Sequence, residues 1–216
     1  MNKPADTCST LPARDRILNA AEIVFSEEGF SGAGMKAIAQ RAEVAQGLLH
    51  YHFENKDGLY AAVIARRSGN INAERLARLD RADLSAPDAV EQIMDALLLP
   101  PLGPAGGGRA YARIFAGLLV GVERDRQMVA EHYDPTARRF IAALQTACPE
   151  ASAQVLAWGY SFAIGALVAT VARSDRPERL AGASGPAPDV EAVVARLVRF
   201  ASGGLRAAIA AEAPPD

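Results

Sequence analysis

Residues 16–60 read RILNAAEIVFSEEGFSGAGMKAIAQRAEVAQGLLHYHFENKDGLY and decide the fold of the first part of the chain. Apolar residues recur there at helical spacing, and the first run stops at Gly29. The pattern predicts three helices, at about 14–28, 35–42 and 47–53. The turn Glu43 to Gln46 joins the last two helices, and it has the length found in helix-turn-helix proteins that read DNA.

The third predicted helix has an apolar face and a polar face. Val44, Leu49 and Phe53 can hold it against the other two helices. The opposite face carries short or flat polar groups that fit a major groove and can bond to phosphates and base edges. These residues are Gln46, Gly47, His50, Tyr51 and His52. Lys56 follows at a new helix start, where a cation and first-turn N–H groups would both face a phosphate. Lys36 and Ala45 complete the predicted DNA-binding set.

The same stretch resembles the N-terminal domain of the TetR family of transcriptional regulators. The residues that carry the resemblance are Gly29-Phe30, Ile38-Ala39, Val44, Gly47, His50-Tyr51-His52-Phe53, Lys56 and Leu59. It covers roughly the first quarter of the chain, and beyond it only the pattern of helices agrees. The resemblance implies an all-α fold, with an N-terminal three-helix helix-turn-helix DNA-binding domain and a C-terminal helical ligand-binding and dimerisation domain. We therefore predict a flexible arm at 1–13, a DNA-binding domain at 14–60 and a regulatory domain at 61–212.

The sequence departs from the family where two helices begin. Ala33 and Gly34 stand where the second helix usually begins with a capping hydroxyl residue, and Ala45 stands where the third often begins with Ser or Thr. Each loss of a side-chain cap costs ~1 kcal/mol of helix stability. Unless Ser31 or Glu43 replaces the cap, the first residue of each of these helices can lie one or two positions from the predicted one.

Composition narrows the class of protein. The chain has 216 residues, half of them hydrophobic, and a net charge of only −2, so contacts with DNA must depend on local placement of charge. Cys8 and Cys148 show no metal-ligand or redox spacing, and the first residues lack the apolar core of a signal peptide. We expect a cytoplasmic protein with no cofactor and no metal site.

After Lys56 the apolar pattern predicts only helices. They lie at about 56–80, 87–99, 109–122, 126–147 with a break before Pro135, 150–173 and 189–212. Two breaks are longer than a turn. The Pro/Gly run Pro100 to Gly108 and the stretch Ser174 to Pro188 are predicted to be flexible loops.

The segment Ala151 to Ala172 has no charged residue in 22 positions, which meets the length rule for a membrane span. Seven alanines, two glycines and four polar residues weaken that interpretation. Small residues at 159, 161, 163, 165 and 166 instead let another helix approach closely. Together with an apolar stripe on the last helix, they predict a homodimer through helices at about 150–173 and 189–212, and no membrane partner.

The middle helices carry apolar and aromatic residues that could line a pocket for an unknown small apolar or amphipathic ligand. Ordinary core packing is the competing interpretation for each of them. The candidates are Met94, Leu98, Tyr111, Phe115, Leu118, Leu119, His132, Tyr133, Phe140, Trp158 and Phe162. His132 and Tyr133 stand out because polar tips near a helix break can orient a ligand in an apolar cavity.

Three classes of function are compatible with an all-helical chain. They are a ligand-responsive DNA-binding repressor, a helical small-molecule-binding or membrane-associated protein without DNA function, and a helical enzyme. His50 and His52 are two residues apart and point to different faces, and no nucleophile and base share a useful spacing. Only the first class explains the three-helix segment. We predict a non-enzymatic regulator that binds a palindromic double-stranded operator as a homodimer and is released by a ligand.

Overall fold

The computed structural model describes residues 11–172, 176–182 and 189–212, and these ranges are helical and contain no β-strand. The chain divides into two compact units, Met1–Arg66 and Arg67–Asp216. The predicted boundary at residue 60 falls inside a long helix that begins in the first unit and ends in the second. Most of the predicted arm, including Lys3 and Cys8, lies outside the described residues.

Three helices and the beginning of a fourth form the first unit. They are α1 (Ala13–Gly32), α2 (Met35–Arg41), α3 (Gln46–Phe53) and α4 (Lys56–Leu79). Gly29 interrupts α1 with a φ of 69°, a left-handed conformation that suits glycine. The core of the first unit consists of fully buried aliphatic side chains from all four helices: Ile17, Leu18, Ile38, Leu49, Leu59, Val63 and Ile64. Phe25, Phe30 and Tyr60 pack their rings together beside this core.

The second unit continues with helices of varied length. They are α5 (Ala89–Leu98), α6 (Gly108–Val120), α7 (Glu123–His132), α8 (Asp134–Ala147), α9 (Ala153–Ala172), α10 (Arg176–Leu180) and α11 (Val190–Glu212). The break predicted before Pro135 separates α7 from α8. Pro135 lies in the first turn of α8, where its missing N–H costs nothing. The upstream helix begins at Glu123, earlier than predicted, and the Asp125 carboxylate accepts a hydrogen bond from the Val122 N–H at 3.2 Å.

Both predicted loops contain regular structure. The Pro/Gly run forms two short 3₁₀ turns, Pro100–Leu102 and Pro104–Gly106, so it is not simply a flexible loop. Gly106 is required there, because a Cβ at this position would lie 1.8 Å from the carbonyl oxygen of Pro101. Within the second predicted loop the structure places α10, and the remainder of that prediction, 174–175 and 183–188, lies outside the described residues.

Helices α9 and α11 pack against each other through Gly159. A Cβ there would lie 2.6 Å from Leu205 Cδ1, so glycine permits this close approach. In the single chain, only 28% of the stretch Ala153–Val171 is buried. That stretch is long and apolar enough to cross a membrane by length and composition, with a mean hydropathy of 1.5.

Candidate nucleic-acid interface and ligand cavity

Helix α3 has one face in the core of the first unit and one face in solvent. Leu49 and Phe53 are 0% and 6% exposed, which confirms their predicted inward orientation, and Val44 is half-buried. On the outward face Gln46, Gly47 and His50 are exposed, and Tyr51 is 80% exposed. The apolar side of α3 therefore holds the helix in place. Its other side presents a row of polar groups and one flat aromatic ring to solvent.

The histidines of α3 have different surroundings. The Nδ1 atom of His50 lies 2.9 Å from the carbonyl oxygen of Glu54. A carbonyl oxygen can only accept, so this contact is a hydrogen bond when Nδ1 carries a proton, and the residue is exposed on the outward face of α3. His52 is half-buried, and its ring makes an edge contact with the ring of Tyr51 at 5.2 Å. His50 is thus better placed than His52 to meet a ligand.

Lys56 connects the start of α4 to the end of α1 and the turn that follows it. Its Nζ donates to the carbonyl oxygens of Ala33 at 3.0 Å and Ser31 at 3.3 Å, and lies 4.7 Å from the centre of the Phe30 ring. The sequence indicates a phosphate contact for this lysine but gives no sign of these bonds. Lys56 therefore has a structural contact with the α1–α2 turn, beside its predicted role toward DNA.

The starts of α2 and α3 lack side-chain caps. Their N-cap residues, Gly34 and Ala45, make no capping hydrogen bond, and neither Ser31 nor Glu43 replaces one. α2 begins at Met35 as predicted, and α3 begins at Gln46, one residue before the predicted start. Lys36 and Ala45 are exposed beside these helix starts.

Two residues that the sequence analysis missed fix the junction between α3 and α4. Asn55 caps α4, because its Oδ1 accepts a hydrogen bond from the Gly58 N–H at 2.9 Å. A Cβ on Gly58 would lie 2.3 Å from the carbonyl oxygen of Phe53, so only glycine fits this approach. An Asn immediately before a predicted helix start is a recognised capping signal and could have identified the first of them.

The second unit contains a small, partly open and mostly apolar cavity of about 30 Å³. Of the predicted ligand residues, the structure brings together Tyr111, Phe115 and Tyr133 around it. The hydroxyl groups of Tyr111 and Tyr133 are hydrogen-bonded to each other. Arg75, which is 2% exposed, also lines the cavity and was not predicted.

The other predicted ligand residues lie away from this cavity. Met94, Leu98, Leu118 and Phe140 are fully buried in the interior, so core packing accounts for them. Leu119 is 41% exposed. His132 is half-buried, and its backbone carbonyl accepts a hydrogen bond from Asn72 Nδ2 at 2.7 Å.

Trp158 and Phe162 lie on a separate apolar groove between α9 and α11. The groove has a volume of about 690 Å³. Trp158, Phe162 and Phe200 line it and are 57%, 67% and 73% exposed. Such a contiguous exposed apolar surface is typical of a protein interface. The small residues that predicted a close helix approach lie on the same helix.

Within the described part of the chain, His, Cys, Asp and Glu side chains form no group that could hold a metal ion. The predicted residues therefore gather at three places: the outward face of α3, the cavity of the second unit and the groove between α9 and α11. The first two depend on hydrogen bonding and shape.

Two family models match the chain. Residues 17–63 match the bacterial regulatory proteins of the tetR family, and residues 91–204, more than half of the chain, match the tetracyclin repressor-like C-terminal domain. The chain belongs to the TetR family. The members of this family are transcriptional regulators and not enzymes, as the sequence analysis predicted.

The TetR-family relatives agree most closely in the DNA-binding region. The HTH-type transcriptional regulator UidR of Escherichia coli (strain K12) is 49% identical over 53 residues, which are 24% of this chain and 27% of UidR. The match thus spans about a quarter of that relative's length.

Solved structures of TetR-like regulators share the fold. A regulator from Rhodococcus sp. RHA1 has a TM-score of 0.64 at 24% identity, covering 91% of this chain and 98% of that one. FadR from Bacillus subtilis, solved in complex with stearoyl-CoA, has a TM-score of 0.61 at 15% identity, covering 88% and 98%.

Proposed function

We propose that this TetR-family protein is a cytoplasmic repressor that binds a palindromic operator as a homodimer and leaves it when a small molecule binds. The outward face of α3 carries this proposal. Gln46, Gly47, His50 and Tyr51 are exposed together, while Leu49 and Phe53 fix the helix from behind. The match to the tetracyclin repressor-like domain supports repression.

The side chains of this face suit the two tasks of a DNA reader. The Gln46 amide can donate to and accept from one base edge, and Gly47 allows close approach of the backbone. Lys36 and Lys56 are cations at the starts of α2 and α4, and we assign them to phosphates. Since the whole chain has a net charge of −2, these local cations and not the overall field must attract DNA.

Selection of bound fragments from random double-stranded DNA tests the function. We expect one enriched sequence with twofold symmetry, since a symmetric dimer presents two copies of α3. Gln46→Ala should relax the preference at one or two base pairs per half-site, each by ~1–3 kcal/mol. Gln127→Ala, an exposed glutamine on α7, serves as the matched control and should leave the preference unchanged. Failure to enrich any sequence would contradict the function, and an unaltered preference in the Gln46 variant would remove that residue from the readout.

The exposed groove between α9 and α11 supports the homodimer. Trp158, Phe162 and Phe200 present large apolar surfaces that a single chain leaves in water. Pairing two copies of α9 and α11 would bury these side chains in a four-helix bundle, and Ala163 and Gly204, which also line the groove, let the helices approach. A twofold axis through this bundle also generates the symmetry that a palindromic operator requires.

The cavity beside Tyr111 and Tyr133 supports ligand control. It is about 30 Å³, so a bound molecule must widen it and displace the helices that surround it. A ligand that fits only the widened conformation releases DNA by its differential affinity for that conformation. The structural neighbour FadR was solved with stearoyl-CoA, which shows that a protein of this fold holds an amphipathic molecule. Titration of candidate compounds against a preformed operator complex tests this, and compounds that bind without changing DNA affinity would contradict it.

A membrane-associated protein without DNA function is the second candidate, because Ala153–Val171 is apolar and only 28% buried in the single chain. Salt separates the two functions. Binding to an operator should weaken steeply as salt rises, because phosphate contacts exchange with cations. Association of α9 with lipid vesicles would survive high salt, and vesicle binding of that kind in the absence of DNA binding would favour the second candidate.

A further inference from the structure

Arg75 is a charged residue at the centre of a buried helix face. It lies on α4 between Ile71 and Leu79, one turn away on either side, and these residues are 2%, 4% and 6% exposed, respectively. Arginine is almost never fully buried unless it is paired. The position therefore requires an explanation.

The protein supplies little compensation for this charge. Nε of Arg75 donates to the carbonyl oxygen of Leu97 at 2.9 Å. Among the described residues, no carboxylate oxygen lies within 4.0 Å of its guanidinium nitrogens. Burial lowers the pKa of Arg75, while Tyr160, Tyr133 and Tyr111 oppose this shift. Tyrosines are neutral near pH 7, so no anion among the described residues pairs with the guanidinium at close range.

A purely structural role accounts for only some of the hydrogen-bond donors of Arg75. Leu97 lies in the last turn of α5, where a cation stabilises the helix end and satisfies a terminal carbonyl. That bond uses one of the five N–H donors of the guanidinium. The same side chain lines the cavity that Tyr111 and Tyr133 also line, so its charge borders the space where we place the ligand.

We propose that Arg75 binds the anionic head group of the regulatory ligand and that this ligand is an amphipathic carboxylate. The planar guanidinium matches a carboxylate in a two-bond geometry. The hydroxyl groups of Tyr111 and Tyr133 are the neutral hydrogen-bonding groups beside it, and Phe115, Leu167 and Val171 offer an apolar wall for the remainder of the molecule. The inference rests on the proposed ligand control and specifies its chemistry.

The volume of the cavity connects this site to the regulatory step. About 30 Å³ accommodates ordered water and not a carboxylate with an alkyl tail. Binding must therefore move α4, α6 or α9, each of which contributes lining residues. Because Arg75 and Lys56 belong to one continuous helix, α4 is the element through which we expect the head group to act.

Paired alkyl probes test the charge requirement. Hexanoate and decanoate are compared with hexanol and decanol by calorimetry on the full-length protein. We expect the carboxylates to bind about 10- to 100-fold more tightly than the alcohols of equal length, as charge-assisted hydrogen bonds add to the apolar contact. Equal affinity of acid and alcohol, or no binding of either, would overturn the proposal. Decyl phosphate forms the second arm, and Arg75-dependent binding of the phosphate without the carboxylate would overturn the assignment to a carboxylate.

Substitution of the arginine provides the second measurement. Arg75→Met fills a similar volume without a charge. This variant should lose the preference for acid over alcohol. Its melting temperature should rise, because an uncompensated buried charge is removed. Arg81→Ala, which removes an exposed charge shortly after α4, is the matched control and should preserve the preference. If Arg75→Met does not fold, Arg75→Lys should retain a preference that is reduced. A folded variant that still prefers the acid would contradict the assignment.

Operator binding in the same samples separates this inference from the proposed function. If decanoate binds through Arg75 and the operator complex persists, the site stands and ligand-induced release fails. If decanoate does not bind while the protein still recognises an operator, DNA binding stands and the carboxylate assignment fails.

Discussion

Gly58 is a single residue on which the junction of the DNA-binding unit depends. A Cβ at this position would lie 2.3 Å from the Phe53 carbonyl oxygen, which is backbone and cannot rotate away. We expect Gly58→Ala to destabilise the protein by about 1–3 kcal/mol because α3 and α4 must separate. Urea unfolding measures the change.

The matched control for this substitution lies on the same helix. A Cβ on Gly69 meets no atom within 4 Å. Gly69→Ala should therefore stabilise the protein by roughly 0.5–1 kcal/mol, the difference in helix propensity between the two residues. Equal effects of the two substitutions would show that the contact with Phe53 is unimportant.

Lys56 is a cation with structural contacts, whereas Lys36 is exposed to solvent, so a comparison of their alanine variants separates stability from DNA binding. Lys56→Ala removes the bonds to the carbonyls of Ser31 and Ala33 and should cost about 1 kcal/mol of stability, whereas Lys36→Ala should leave stability unchanged. Each variant should weaken binding to operator and to random DNA similarly and flatten the salt slope by about one unit. Binding measured across a salt series, below the unfolding temperature of both variants, gives the slopes. Loss of operator binding alone would show that the contact is not with phosphate.

The contacts that the sequence analysis did not predict have two different explanations. Lys56 bonds to carbonyls of Ser31 and Ala33, which only folding brings to it, so no local pattern reports the contact. Arg75 was within reach of prediction, because it lies one helical turn from Ile71 and from Leu79 on a buried stripe. A charge at the centre of such a stripe indicates a special environment.

At the scale of the element, the uncapped start of α3 can be repaired. Ala45 is exposed and has the extended conformation of an N-cap residue, with φ −67° and ψ 139°. We expect Ala45→Ser to stabilise the protein by about 0.5–1 kcal/mol, because the hydroxyl can accept a hydrogen bond from an N–H of the first turn. Thermal unfolding monitored by circular dichroism measures this.

A control for helix propensity accompanies that variant. Ala65 is exposed in the interior of α4, where serine has no cap to form. Ala65→Ser should cost a few tenths of a kcal/mol, since serine is a weaker helix former than alanine. If both serine variants lose stability, the start of α3 cannot use a side-chain cap.

Long amphipathic helices were predictable because their apolar period is repeated over several turns. α4, α5, α6, α9 and α11 lie within a few residues of their predicted bounds. The shortest elements of the second unit were not predicted. α10 spans only Arg176–Leu180, too few residues for a period, although Pro177 in its first turn is a helix-start signal. The 3₁₀ turns at Pro100 and Pro104 involve a close backbone contact of Gly106 with Pro101, which an apolar period does not report.

At the scale of the whole molecule, we expect the dimer to depend on the exposed face of α9. Phe162→Glu places a charge in the proposed interface, and because Phe162 is 67% exposed in the single chain the subunit should still fold. The dimer dissociation constant should rise about 100-fold or more, as a buried unpaired charge opposes association. Sedimentation velocity over a range of protein concentrations measures it, and operator affinity should fall in parallel.

Val120→Glu provides the control for the added charge. Val120 is 86% exposed at the end of α6 and does not line the groove between α9 and α11. It should leave both the dimer and operator binding intact. Dissociation of both variants would point to a general effect of charge, and an intact dimer in the Phe162 variant would place the interface elsewhere.

The position of Trp158 gives this protein a built-in optical probe. It is the only tryptophan of the chain, and the residue is 57% exposed on the groove that we assign to subunit pairing. Its indole emission therefore responds to the transfer of that ring from water to an apolar surface. A dilution series read by fluorescence alone would report how tightly two subunits hold together, with no dye and no added label.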